Sequence, residues 1–158
     1  MLRTSRSSAL SARTATINQI KSILVSASEQ LRARYQGLSN SKLIAALAST
    51  QPTSTPVTVA EATAYSVRLL ARRWQALTEQ IEDLAAHMQR LLEDHAPALM
   101  SVFGVGRDTA AQLLITAGDN PDRLRSEAAY AALAGACPIP ASSGKTNRHR
   151  LNRAVESP

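Results

Sequence analysis

From Ala60 to Leu91 the chain reads AEATAYSVRLLARRWQALTEQIEDLAAHMQRL. The positions Ala60, Thr63, Val67, Leu70, Trp74, Leu77, Ile81, Leu84, Met88 and Leu91 alternate spacings of three and four and carry mostly apolar side chains. That alternation brings one face of an α-helix back to the same side over several heptads. With a rise of 1.5 Å per residue it predicts a helix roughly 50–55 Å long, more than a compact domain of this size needs. Such a helix is expected to pair along its length. Its partner is either the N-terminal segment, folded back as an antiparallel hairpin, or the same helix of a second copy.

Upstream, Ser5 to about Val25 permits helix, and Leu10, Ile17, Leu24 and Leu31 recur every seven residues with Ile20 and Ala27 between them. Ser26, followed by Glu29, resembles a capping box, so this helix is expected to break and restart there before Gly37 ends it. Asn40 to Ala48 reads as a short helix, and Gln51 to Pro56, with two prolines, as a loop. Only Tyr35, Tyr65, Trp74, Phe103 and Tyr130 are aromatic, while Ala and Leu are plentiful. Close-packed helices suit that composition better than a sheet sandwich. The fold class expected is all-α: residues 1–96 form a helical linker and coiled-coil arm, and residues 97–158 a small helical module.

A net charge of +6 points to a polyanionic partner, most simply nucleic acid. The charge is uneven. Arg3, Arg6, Arg13 and Lys21 lie towards one end and Lys145, Arg148, Arg150 and Arg153 at the other, with acids such as Glu79, Glu82, Asp83, Glu93 and Asp94 between. Cys137 is the single cysteine, which leaves no disulfide framework and no cysteine-based zinc site. His87 and His95 have no clustered partners, so no metal site is expected on this chain. Without a signal-type apolar segment or a membrane-length run, the reading is cytoplasmic with no membrane contact.

Pro97 is expected to stop the arm. Phe103-Gly104-Val105-Gly106-Arg107-Asp108-Thr109-Ala110-Ala111-Gln112-Leu113-Leu114 then matches a helix-hairpin-helix: an apolar residue, Gly-apolar-Gly, and a helix with Ala and paired Leu. Gly104 and Gly106 allow a tight turn, and the free amides at the next helix start suit a phosphate. Gly104, Gly106, Arg107 and Thr109 are therefore candidate DNA-backbone contacts. Gly118 to Pro121 closes that helix, Ser126 caps a short helix from Glu127 to Leu133, and Gly135 ends it. After a Pro138-Ile139-Pro140 turn comes Ala141-Ser142-Ser143-Gly144-Lys145-Thr146-Asn147-Arg148-His149-Arg150-Leu151-Asn152-Arg153, two hydroxyls and a glycine beside a run of cations.

The order of these segments, from about Leu99 to Arg153, closely resembles the C-terminal module of insertion-sequence transposases of the one-ten class, the bridge-RNA-guided recombinases. The stretch Leu70 to Thr78 looks like the helical linker of that family. The resemblance implies an N-terminal RNase-H-like domain with four acidic metal ligands, a coiled coil for dimer contacts, and a serine nucleophile. By position that serine corresponds to Ser143, with Ser142 the neighbouring alternative. Attack on a phosphodiester needs an activated hydroxyl and cations around the phosphorus. Lys145, Arg148 and Arg150 are the candidates, Gly144 allows close backbone approach, and Arg153 is a further candidate DNA contact.

On this reading the chain is the linker and C-terminal part of a transposase acting in DNA transposition. The partners expected are DNA, a guide RNA, and a second copy through the arm. Mg2+ is expected only in an RNase-H-like domain, with no cofactor on this chain. After Arg153 the sequence reads Ala-Val-Glu-Ser-Pro where the family continues with a glycine-rich segment and another helix. The expectation is of a truncated copy whose isolated chain binds nucleic acid weakly and does not recombine. The alternatives are a non-catalytic helix-hairpin-helix DNA-binding module, in which Ser143 is indifferent, and a structural coiled-coil protein that ignores nucleic acid.

Overall fold

The computed structural model describes residues 1–51, 55–118, 122 and 124–150. The chain packs as two compact units, Met1–Arg90 and Leu91–Pro158. Half of the loop expected from Gln51 to Pro56 lies outside the described residues, as do Asp119 to Pro121 and everything after Arg150.

In the first unit, α1 (Leu2–Ser26) is followed by α2 (Glu29–Tyr35), α3 (Asn40–Ala48) and the long α4 (Val59–His95), which runs on past the unit's end. α1 contains neither Gly nor Pro, and Thr14 and Thr16 donate their hydroxyls to the carbonyls of Leu10 and Ala12, at 3.0 and 2.7 Å. The second bond satisfies a side chain that the fold buries, since Thr16 keeps 1% of its exposure. The break between α1 and α2 falls where the sequence predicts it, with a different cap. Ala27 is extended and Ser28 is the N-cap residue of α2, whereas Ser26 donates its hydroxyl back to the carbonyl of Ile23 at 3.1 Å. Gly37, beyond the end of α2, has φ +77°, a conformation that costs other residues more.

The core of this unit joins Ile17, Ile20 and Leu24 of α1, Tyr35 of α2, Leu43, Ile44 and Leu47 of α3, and Val67 and Ala71 of α4. Leu70 and Trp74 pack at its edge, and the Arg13 guanidinium lies 5.4 Å from the centre of the Trp74 ring. α1 and α4 thus share one core. α2 and α3 complete that core.

α4 opens with a reciprocal cap. The Glu61 carboxylate accepts the amides of Val57 and Thr58 at 2.8 and 3.0 Å, and the Glu61 amide donates to the Thr58 hydroxyl at 3.2 Å. These amide bonds hold the Glu61 carboxyl below its ordinary value. A group with a lowered folded pKa adds stability above its unfolded pKa and loses it as pH falls through the folded one. Wild type is therefore expected to lose more melting temperature than Glu61→Gln between neutral pH and the acid side of the glutamate range, as read by circular dichroism.

The seam of α4 is rotated from the one the heptad predicts. Val67, Ile81 and Met88 are buried as expected, but the alternate positions are Ala71, Ala85 and Leu92, all below 5% exposure. Leu70, Leu77 and Leu84 sit on the flank, half-buried, and Leu91 is half exposed. Alanine is thus buried at the position that hydrophobicity alone gives to leucine, where a longer side chain has to find room in a packed interior. Overpacking is expected to show this. Ala71→Leu should cost roughly 1–3 kcal/mol in urea unfolding, whereas Leu91→Ala should cost about 1 kcal/mol or less.

The second unit contains α5 (Pro97–Met100), α6 (Arg107–Ala117), α7 (Glu127–Leu133) and a two-stranded antiparallel ribbon of β1 (Ile139–Pro140) and β2 (His149–Arg150). The all-α class holds, with this ribbon the single sheet among the described residues. Pro97 stands at the start of α5, where its missing N–H is harmless. Ser126 caps α7 by accepting the Ala129 amide at 3.1 Å. The Tyr130 hydroxyl donates to the Leu113 carbonyl at 3.2 Å and ties α7 to α6. Pro138-Ile139-Pro140 does not form the turn expected of it. Ile139 and Pro140 are extended and pair with Arg150 and His149, which the missing N–H of Pro140 permits on a ribbon with open edges.

Candidate functional site

The candidate residues fall in two groups, both within the second unit. The first surrounds the connection between α5 and α6. The amide of Val105 donates to the carbonyl of Val102 at 3.1 Å, closing a turn around Phe103 and Gly104. Gly104 has φ +85°, so the turn requires glycine there. Gly106 does not have that constraint. It is the N-cap residue of α6 with extended backbone, and no side chain caps the helix. An added Cβ at Gly106 meets nothing within 4 Å. Arg107, Asp108 and Thr109 are exposed around the start of α6, where the glycine cap offers no side-chain acceptor. Ala110, on the inner side, is fully buried. Phe103 lies wholly exposed at the tip of the turn, although the motif suggested nothing beyond an apolar residue there.

The second group is the ribbon, which the sequence suggested only as a loop. The pairing of Ile139 with Arg150 and of Pro140 with His149 continues to the bridge between Ser143 and Thr146. Ser143 and Thr146 exchange both backbone bonds, at 3.1 and 2.7 Å, and Gly144 and Lys145 form a two-residue connection. Ala141 donates to the Arg148 carbonyl at 2.8 Å. Gly144 is outside the left-handed region, and an added Cβ would meet nothing within 4 Å. The turn therefore does not need glycine, and the open space beside it is available to a ligand.

This register separates the two serines. Side chains alternate between faces along a strand, so Ser142 shares a face with Asn147, while Ser143 shares one with Thr146, Arg148 and Arg150. The hydrogen bonds agree. The Ser142 hydroxyl donates to Asn147 Oδ1 at 2.8 Å and accepts the Arg148 amide at 3.2 Å. It is engaged in holding the hairpin. The Ser143 hydroxyl makes no hydrogen bond among the described residues. A shallow depression of about 450 Å³, lined by Ser142, Ser143, Gly144, Lys145, Thr146 and Asn147, opens at the tip.

The electrostatics are one-sided. No acid occurs between Glu127 and Arg150, and Lys145, Arg148 and Arg150 form no ion pair among the described residues. These exposed cations and the unengaged hydroxyl together offer an anion both charge and a nucleophile. Residues 96–157 match the family model described as Transposase IS116/IS110/IS902 family.

That segment, which carries both candidate groups, is similar to transposases of this class, and the match supports DNA transposition as the activity in general. No curated protein and no solved structure matches the chain. Within the transposase-like segment no hydrogen bond or ion pair joins the α5–α6 turn to the ribbon among the described residues. Arg153, the last candidate cation, lies outside the described residues. Among those described, no three His, Cys, Asp or Glu side chains gather where a metal ion is held. His87 lies 3.4 Å from Asp83, and its other ring nitrogen is 3.2 Å from Arg90. No described helix is long and apolar enough to cross a membrane.

Asn147 is the residue that sequence reasoning missed. Its signal was its spacing of five from Ser142, which has meaning only once a two-residue connection is assumed.

Proposed function

We propose that the transposase-like segment supplies the serine nucleophile and part of the phosphate-binding surface of a DNA transposase, with Ser143 as nucleophile. The observation that carries this reading is the division of labour between the serines: Ser142 is committed to Asn147 and the Arg148 amide, and Ser143 is unengaged on the face of Arg148 and Arg150. In the reaction, Ser143 Oγ forms a bond to phosphorus as the bond to a leaving sugar oxygen breaks. The hydroxyl proton departs and the leaving oxygen gains one. Arg148 and Arg150 offset the charge that builds on the phosphate oxygens, while Lys145 at the tip and the open space at Gly144 admit the backbone.

No step is assigned to a metal on this chain. The resemblance implies that metal-binding carboxylates belong to an RNase-H-like domain, and the isolated chain is accordingly proposed to bind DNA without cleaving it. Gly104, Gly106, Arg107 and Thr109 position duplex through its backbone without reading sequence. A guide RNA and a second copy paired through the arm complete the proposed assembly. The test is to supply this chain with an RNase-H-like domain of the family in trans and look for a covalent protein–DNA adduct, comparing Ser143→Ala with Ser142→Ala.

A further inference from the structure

Arg68 of α4 keeps only 8% of its exposure and lies beside Val67 and Ala71, at 1% and 0%. Both neighbours belong to the hydrophobic cluster that joins α4 to α1, α2 and α3. The Arg68 Nε is fully buried and has no hydrogen-bond partner. The guanidinium makes no ion pair among the described residues, and its two terminal nitrogens are left to reach the surface. A buried charge without a partner is strongly unfavourable, and folds that keep one ordinarily supply a carboxylate.

The surroundings cannot supply one. α1 and α3 contain no acid at all, and α2 has only Glu29, which is exposed. On α4 the positions one turn from Arg68 are Ala64, Tyr65, Ala71 and Arg72, so the one charged residue a turn away along the helix is a second cation. Glu61, two turns back, is engaged with the amides of Val57 and Thr58. From Met1 to Thr78 there are ten Lys and Arg against two acids, Glu29 and Glu61. Within this unit the helices around Arg68 therefore offer no free acid to complete the site.

We propose that Arg68 is a phosphate-binding residue of the helical arm, taking a phosphate of a nucleic-acid backbone, with exposed Arg72 as the second cation. The recessed guanidinium is held by its buried stem and presents its outer edge, and its planar fork matches two phosphate oxygens. The site lies in the unit Met1–Arg90, outside the residues that match the transposase family. It gives the arm a nucleic-acid contact of its own.

The test measures fluorescence anisotropy of a labelled DNA duplex, and of RNA of the same sequence, against the full chain. Binding is read without turnover, so the result does not depend on Ser143. Arg68→Met keeps a flexible apolar stem and removes the cation. It is expected to melt no lower than wild type, to bind at least one of the two probes about tenfold more weakly at fixed salt, and, where that probe is the duplex, to lose about 0.9 from the slope of log affinity against log salt. Lys21→Met, which removes an exposed cation from α1, serves as control. Equal losses in the two variants, or wild-type affinity in Arg68→Met for both probes, would overturn the proposal. If Arg68→Met does not fold, Arg68→Lys decides: it keeps the charge but not the fork, and at least a threefold loss is expected, with wild-type affinity overturning the proposal. Inorganic phosphate provides the last arm. Stabilisation of wild type by free phosphate, together with nucleic-acid binding indifferent to Arg68, would overturn the assignment to a backbone.

Discussion

Truncating Ile20 to alanine is expected to unfold the helical arm at a temperature on the order of 10–30 °C below wild type. Ile20 has no exposed surface and belongs to the cluster in which α1, α2, α3 and α4 all meet. Removing its outer carbons forfeits their transfer free energy and leaves a cavity that four rigid helices close only in part. Together these cost roughly 2–5 kcal/mol, a large share of the 5–15 kcal/mol that holds a typical domain. In a unit of about 90 residues each kcal/mol moves the midpoint by roughly 4–8 °C. Thermal melting followed by far-ultraviolet circular dichroism measures this directly. Val25→Ala on the same helix, at a position 73% exposed, should melt within a few degrees of wild type. If the two variants melt alike, Ile20 is not at the centre of the core.

The second large effect is chemical. In the trans-complementation assay, Ser143→Ala is expected to abolish the covalent protein–DNA adduct, because it removes the proposed attacking oxygen, and the Thr146 hydroxyl on the same face belongs to the opposite strand. Ser142→Ala is expected to retain the adduct at reduced yield. It removes the bonds to Asn147 and to the Arg148 amide, which loosens the hairpin, but leaves the attacking oxygen in place. An adduct that survives Ser143→Ala and disappears in Ser142→Ala would reverse the assignment. Duplex binding by Ser143→Ala should match wild type, since the hydroxyl contributes no charge to backbone contact.

Much of this fold is legible from the residues. Asn40 to Ala48 is a helix with those bounds, the break after Ser26 is real, and Ser126 caps the helix it was expected to cap. These features depend on local chemistry that a short window contains. The heptad reading of α4 was half right for a reason that no window shows. Val67, Ile81 and Met88 lie on the seam in either register, and the choice between Leu70 and Ala71 depends on how closely another helix approaches. The ribbon was missed because its strands are two residues long and neither has an alternating pattern. A tight connection at Gly144-Lys145 is visible only when the cross-strand partners are known.

The site was legible at the level of composition and not of geometry. That Ser142 and Ser143 stand beside cations is plain from the sequence, whereas their opposite faces follow from the register. Arg68 shows the reverse case. Within a basic stretch it reads as one more solvated cation, although the lack of any acid in α1 and α3 was already a sign that a buried arginine there has no partner.

The register of the ribbon also makes the identity of the proposed nucleophile a matter of counting. With Ile139 fixed opposite Arg150, lengthening the first strand by one residue before Ser142 exchanges the two faces. Ser142 then stands among the arginines and Ser143 turns away from them. Two adjacent serines thus form an ambiguous pair that the length of the hairpin resolves. A single-codon insertion or deletion in this segment would change which serine oxygen lies on the face of Arg148 and Arg150 without altering either serine.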